Sequence, residues 1–81
     1  MYEFSQLGYS LVLSNHINEA IEVYRLNTEA FPSFSKTFDD LGEAYMRKGD
    51  KDLAIKYYSR AYELDNKNER VKNILNKLRS Q

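Results

Sequence analysis

The sequence predicts an all-α chain, two similar helical hairpins followed by one C-terminal capping helix, and three observations predict it. Sliding the chain by 34 residues lays Phe4, Leu7, Gly8, Ala20, Ile21, Tyr24 and Glu29 on Phe38, Leu41, Gly42, Ala54, Ile55, Tyr58 and Glu63. A repeat of this length is one supersecondary unit that buries its apolar face only against its neighbours. Within each unit the apolar residues recur three and four apart, the spacing of one helix face. Residues that stop and start helices separate these runs.

In chain order, Phe4, Leu7 and Leu11 mark a first helix, which Asn15 ends as the residue type that best tolerates the left-handed conformation after glycine. Ile17, Ala20, Ile21 and Tyr24 mark a second, ended by Pro32-Ser33. The third carries Phe38, Leu41 and Tyr45 and runs into Lys48-Gly49-Asp50, a basic last turn, a C-terminal glycine and an N-cap for the next helix. The fourth carries Ala54, Tyr58 and Ala61 and stops at Asp65-Asn66. From Glu69 to Arg79, Val71, Ile74, Leu75 and Leu78 form one stripe, with Arg70, Lys72, Asn73, Asn76 and Lys77 elsewhere. That pattern suits a fifth helix covering the open apolar face of the second hairpin. The units are 1–34 and 35–68, with the cap at 69–81, in one structural domain. Gly8 is expected to face Ala20 and Gly42 to face Ala54 where the helices of a hairpin cross, with Phe4, Leu7, Tyr24, Phe38, Leu41 and Tyr58 filling the space around them. Leucine in place of Gly42 would overpack that crossing.

An 81-residue chain buries roughly 60–65% of its unfolded surface, so its core is marginal. Twelve basic and twelve acidic residues cancel, which removes the broad positive field of a nucleic-acid binder. The balance is uneven: residues 1–34 carry a net −3 and the remainder +3. Without cysteine there is no disulfide framework and no thiolate chemistry. No apolar run approaches the roughly 20 residues of a membrane-spanning helix.

The pattern of an aromatic, Leu-Gly, Tyr, Ala, a second aromatic and a further Ala, read at Phe38, Leu41, Gly42, Tyr45, Ala54, Tyr58 and Ala61, resembles a tetratricopeptide repeat. Phe4, Leu7, Gly8, Ala20, Tyr24 and Pro32 match it in the first unit. The departures are Phe for the usual first Trp, Leu11 for Tyr, Asn66 for Pro, and Asn27 where the second unit has Ala61. Asn27 stands at the contact between units and needs a hydrogen-bond partner or a route to water. The resemblance implies a short right-handed α-solenoid. Arg25-Leu26-Asn27, Glu29-Ala30-Phe31-Pro32 and Asp40-Leu41-Gly42-Glu43-Ala44-Tyr45 further resemble the C-terminal repeat tails of bacterial serine hydrolases of the esterase and β-lactamase-like kind. That likeness implies a catalytic domain upstream and carries no catalytic residue into this chain.

Candidate chemistry is sparse. Ser14 and His16 lie close in sequence, but in an interhelix turn with no carboxylate to orient the imidazole, so a solvated turn is expected. One His and no Cys make no transition-metal set, and 65–69 lacks the glycine and spacing of a calcium loop. The three glycines are single, so none cradles a phosphate. Lys67, Arg70, Lys72, Lys77 and Arg79 are spread round a helix with acidic neighbours, a solvated cap face with neither nucleic acid nor membrane as partner. No catalytic residue, metal or other cofactor is expected.

The tetratricopeptide resemblance implies a concave face lined by the first helix of each unit, which holds peptides. Carried over, it comprises Tyr2, Ser5, Tyr9, Val12 and Leu13 in the first unit, Lys36, Asp39, Glu43, Met46 and Arg47 in the second, and Arg70, Asn73 and Lys77 in the cap. Ser5, Tyr9 and Asp39 stand where the family's clamp for acidic tails needs Lys, Arg and Asn, so no such clamp is expected. An apolar, Tyr-rich first unit beside a mixed-charge second one suits a protein surface. The expected function is a non-catalytic protein-interaction module, an appendage of a larger protein. Its partner is a protein or peptide, an upstream domain of the same chain such as a serine hydrolase, or a second copy. Two units and a cap fall short of the usual three, which favours a contact partner.

Overall fold

The computed structural model describes residues 2–80 and the side chains of residues 5–80. Five helices follow one another, α1 (Tyr2–Leu13), α2 (Ile17–Ala30), α3 (Ser35–Lys48), α4 (Lys51–Leu64) and α5 (Glu69–Arg79). The two hairpin turns close alike. After α1, Asn15 takes φ 64° and after α3 Gly49 takes φ 92°. His16 N–H donates to Leu11 O at 2.7 Å and Asp50 N–H to Tyr45 O at 3.0 Å, satisfying last-turn carbonyls that the helices leave free. Asp50 Oδ1 then accepts from Leu53 N–H at 3.1 Å, capping α4. Asn68 does the same for Val71 at 3.2 Å, a cap the sequence reading did not single out.

Burial occurs between successive units. Val12, Ala20, Ile21 and Tyr24 of the first hairpin enclose Leu41 and Ala44 of α3 in one apolar cluster. Ala54, Tyr58 and Ala61 of α4 form a second with Val71, Leu75 and Leu78 of α5. The expected cap is therefore present. A further slide of 34 residues puts Leu75 on Leu41 but Asn76 on Gly42, and Asn76 is exposed. Where α3 offers a bare backbone to α4, α5 offers a polar side chain to water.

Two packing expectations need correction. Leu41 is fully buried, yet its counterpart Leu7 is 50% exposed. Leu41 is covered by the preceding hairpin, and among the described residues nothing stands in that place for Leu7. The glycines also meet different atoms from those expected. A Cβ on Gly8 would lie 2.3 Å from the Tyr24 ring, and one on Gly42 3.0 Å from the Tyr58 ring. Each glycine lets a buried tyrosine cross its own hairpin, while Ala20 and Ala54 are buried without being the closest neighbours. The side chain of Phe4, placed in this packing, lies outside the described side chains.

Asn27 is fully buried. Its Nδ2 donates to Ser5 Oγ at 3.4 Å, and its Oδ1 has no partner among the described residues. The partner that the sequence demanded thus exists for one of its two polar groups.

Three stability outcomes are expected in urea unfolding. Gly8→Ala costs about 2–3 kcal/mol, because the Tyr24 ring must move, and Gly42→Ala costs at most about 1 kcal/mol, because the small clash is offset by helix propensity. Asn27→Ala, which copies Ala61 into the first unit, raises stability by about 1 kcal/mol by removing an unpaired buried carbonyl.

Candidate functional site: the face of α1, α3 and α5

Two polar contacts tie the first helices of successive units side by side. Ser5 Oγ on α1 donates to Asp40 Oδ2 on α3 at 3.4 Å. Arg70 on α5 donates to Asp39 on α3. The residues expected to line this face fall into two groups. Tyr9, Leu13 and Met46 stand out 55%, 68% and 40% exposed, half of the large apolar side chains that the described residues show to water. Lys36, Arg47, Arg70, Asn73 and Lys77 are exposed, and Ser5 and Glu43 are half-buried.

The remaining expected residues are placed otherwise. Val12 is buried in the core with Leu41 and Ala44, because near the end of α1 it is covered by α3. Met46, at the same register on α3, escapes this because α5 has 11 residues against the 14 of α3 and ends too early to cover it. Asp39 is also buried and belongs to the joint with α5. Tyr2 lies outside the described side chains.

The charges of the face are largely spent within it. Lys36 Nζ holds Asp40 Oδ1 at 2.6 Å, Arg47 approaches Glu43 at 3.4 Å, and Arg70 holds Asp39. Burial pushes both Asp39 and Asp40 above the usual carboxylate range, and the cations Arg70 and Lys36 offset only part of this. Beneath the face, burial also raises the Tyr24 and Tyr58 phenols, with Asp40 and Glu43 adding to the first and Asp39 and Glu43 to the second. Both phenols stay neutral. The surface is nearly charge-balanced, with apolar side chains standing above it.

Sequence reasoning did not single out Asp40 as part of this arrangement. Lys36 four residues earlier was the available signal, since such pairs meet on one helix face. Ser14 Oγ and His16 Nδ1 do meet at 3.0 Å, both exposed in the α1–α2 turn. Ser14 Oγ also bonds Ser10 O at 2.9 Å, a turn closure with no buried surroundings to tune it. Among the described residues no group of three or more His, Asp or Glu could hold a metal ion, and no helix is long and apolar enough to cross a membrane.

The Asp39–Arg70 joint should show itself in pH dependence. A folded pKa above the ordinary 3.8 means that the stability linked to Asp39 is present at low pH and lost as pH rises through the folded value. Arg70→Ala leaves the buried carboxylate without its cation and raises that pKa further. The variant is expected to lose about 1–2 kcal/mol at pH 7 and progressively less as falling pH protonates Asp39, measured by urea unfolding from neutral to acid pH.

Comparison with known proteins agrees with this architecture. The sequence profile of the tetratricopeptide repeat matches residues 35–68. No curated protein matches the chain in sequence. Among solved structures, the Yersinia enterocolitica type III secretion translocator chaperone SycD superposes with a TM-score of 0.87 at 23% identity, over 95% of this chain and 53% of that one. SycD in complex with a peptide of the translocator YopD superposes with a TM-score of 0.89, also at 23% identity, over 95% of this chain and 59% of that one. The chain thus spans little more than half the length of the solved chains that it matches. None of these findings supports the likeness to hydrolase tails. Residues 35–68 thus match the tetratricopeptide repeat profile, and the five helices pack as tetratricopeptide-like hairpins.

Proposed function

We propose that the chain is a non-catalytic protein-interaction module that seats a peptide segment of a partner along the α1 and α3 face. The observation that carries this reading is the exposure of Tyr9 and Leu13, 55% and 68%, one turn apart on α1 and the two most exposed of the large apolar side chains described. Met46 extends the apolar strip onto α3. Large apolar and aromatic side chains give most of the binding energy of such a contact, and the paired ions around them supply register more than affinity. Since Lys36, Arg47 and Arg70 already hold carboxylates, a partner with apolar anchors fits better than one recognised by an acidic terminus. The likeness in fold to SycD, which was solved with a peptide of the translocator YopD, supports a peptide as the ligand class. Membership in a longer protein, with a serine hydrolase domain upstream, rests on the sequence resemblance alone.

Panning a phage-displayed random peptide library against the chain tests this reading. The expected selection is of peptides with two apolar anchors, whose affinity falls about tenfold or more in the Tyr9→Ser, Leu13→Ser double variant. Both side chains are exposed, so circular dichroism should show the variant folded. Selected peptides that bind the variant as tightly as the parent would place the site elsewhere.

A further inference from the structure

The second helices of the two hairpins carry opposite chemistry at the same register. On α2, Leu26 is 49% exposed between Glu22 and Glu29, whose side chains are 64% and 60% exposed although Arg25 bridges them. Thirty-four residues on, Lys56 replaces Glu22, Arg60 replaces Leu26, and Tyr57 replaces Val23. On α4 these residues and Glu63, with Phe38 of α3, line a cleft of about 340 Å³. Its floor is aromatic. Phe38 and Tyr57 lie within 16° of parallel at 6.5 Å, and Tyr57 stacks on Tyr45 at 5.5 Å. Lys56 stands 5.3 Å over the Tyr57 ring and Arg60 5.8 Å over that of Phe38, with Glu63 3.6 Å from the Arg60 guanidinium, so the cleft keeps one positive charge in excess.

An aromatic floor between two cations accepts an aliphatic side chain carried between two carboxylates on one helix face. Helix α2 supplies that pattern. We propose that the chain self-associates as a two-fold pair in which Leu26 of each copy enters the Phe38–Tyr57 cleft of the other, with Glu22 and Glu29 set against Lys56 and Arg60. Each copy carries both halves, so the two contacts form together and the assembly closes at two subunits. Pairing of the two first units with each other would instead bring together halves of net charge −3 each, which Coulomb repulsion opposes. The contact uses α2 and α4 and leaves Tyr9 and Leu13 free, so it stands independently of the peptide-binding reading.

Sedimentation equilibrium of the 81-residue chain tests the pairing. The expected mass rises with concentration from 9.6 kDa toward twice that value. The variants Lys56→Glu with Arg60→Glu, and Glu22→Lys with Glu29→Lys, each put like charges at both contacts and should weaken dimerisation about tenfold or more. Mixed, the two variants face opposite charges at both contacts, so a heterodimer is expected to form. Tyr9→Ser with Leu13→Ser should leave the mass unchanged. All four exchanged positions are exposed, so each variant is expected to fold, and circular dichroism checks this. A parent chain that stays monomeric at every concentration, a parent mass indifferent to the charge reversals, or a mixture that stays monomeric would each overturn the proposal, whether or not the cleft then takes another protein's helix.

Discussion

A single constraint organises the molecule: the apolar faces of its helices are buried between successive hairpins. Leu41 is sealed by α1 and α2, and Leu75 by α4, whereas Leu7 stands half in water. The residue type is the same in all three places, so propensity and hydrophobicity cannot account for the difference. Position along the stack does. The stack is also cooperative for this reason, since removing one hairpin exposes a face of the next.

The two joints between units solve the same polar problem in different ways. At the first, Asn27 meets Ser5, Ser5 meets Asp40, and Lys36 covers Asp40 from the solvent side. At the second, Ala61 removes the need for an amide partner, and the carboxylate is Asp39, held by Arg70. Each joint leaves a carboxylate whose desolvation is only partly compensated. Burying such groups contributes little to stability and fixes how one unit is turned against the next, because a rotated interface would strand a charge. Repeat scaffolds bind through the curvature of a face, so this orientation is where packing passes into function.

Much of the fold was legible in the residues. The slide by 34 places paired residues in paired environments, Tyr24 with Tyr58 and Ala20 with Ala54, and the turns at Asn15 and Gly49 follow from which residues tolerate positive φ. What escaped was whatever depends on a neighbour at long range. Nothing local separates Val12 from Met46, yet one is core and the other surface because α5 is three residues shorter than α3. Asp39 reads as a polar groove residue until Arg70, 31 positions away, is seen beside it. Gly8 and Gly42 were correctly read as close approaches, but which side chain approaches is decided by how far a tyrosine ring reaches across the hairpin, a distance that no spacing encodes.

The differences between the repeats carry more functional information than their likeness. The shared pairs Gly8 and Gly42, Ala20 and Ala54, and Tyr24 and Tyr58 are those the hairpin needs in order to close, and they are buried. Positions that differ most, Val23 against Tyr57, Leu26 against Arg60 and Glu22 against Lys56, lie on the second helices, and they turn an acidic, aliphatic face on α2 into an aromatic face with cations on α4. A repeat that only had to stack would have no reason to exchange these side chains between its units, since surface pairs within each helix satisfy solubility equally well. The exchange lies on surfaces that the face of α1, α3 and α5 does not use. The molecule therefore presents two chemically distinct surfaces, the nearly neutral face of α1, α3 and α5 and the contrasting exposed faces of α2 and α4.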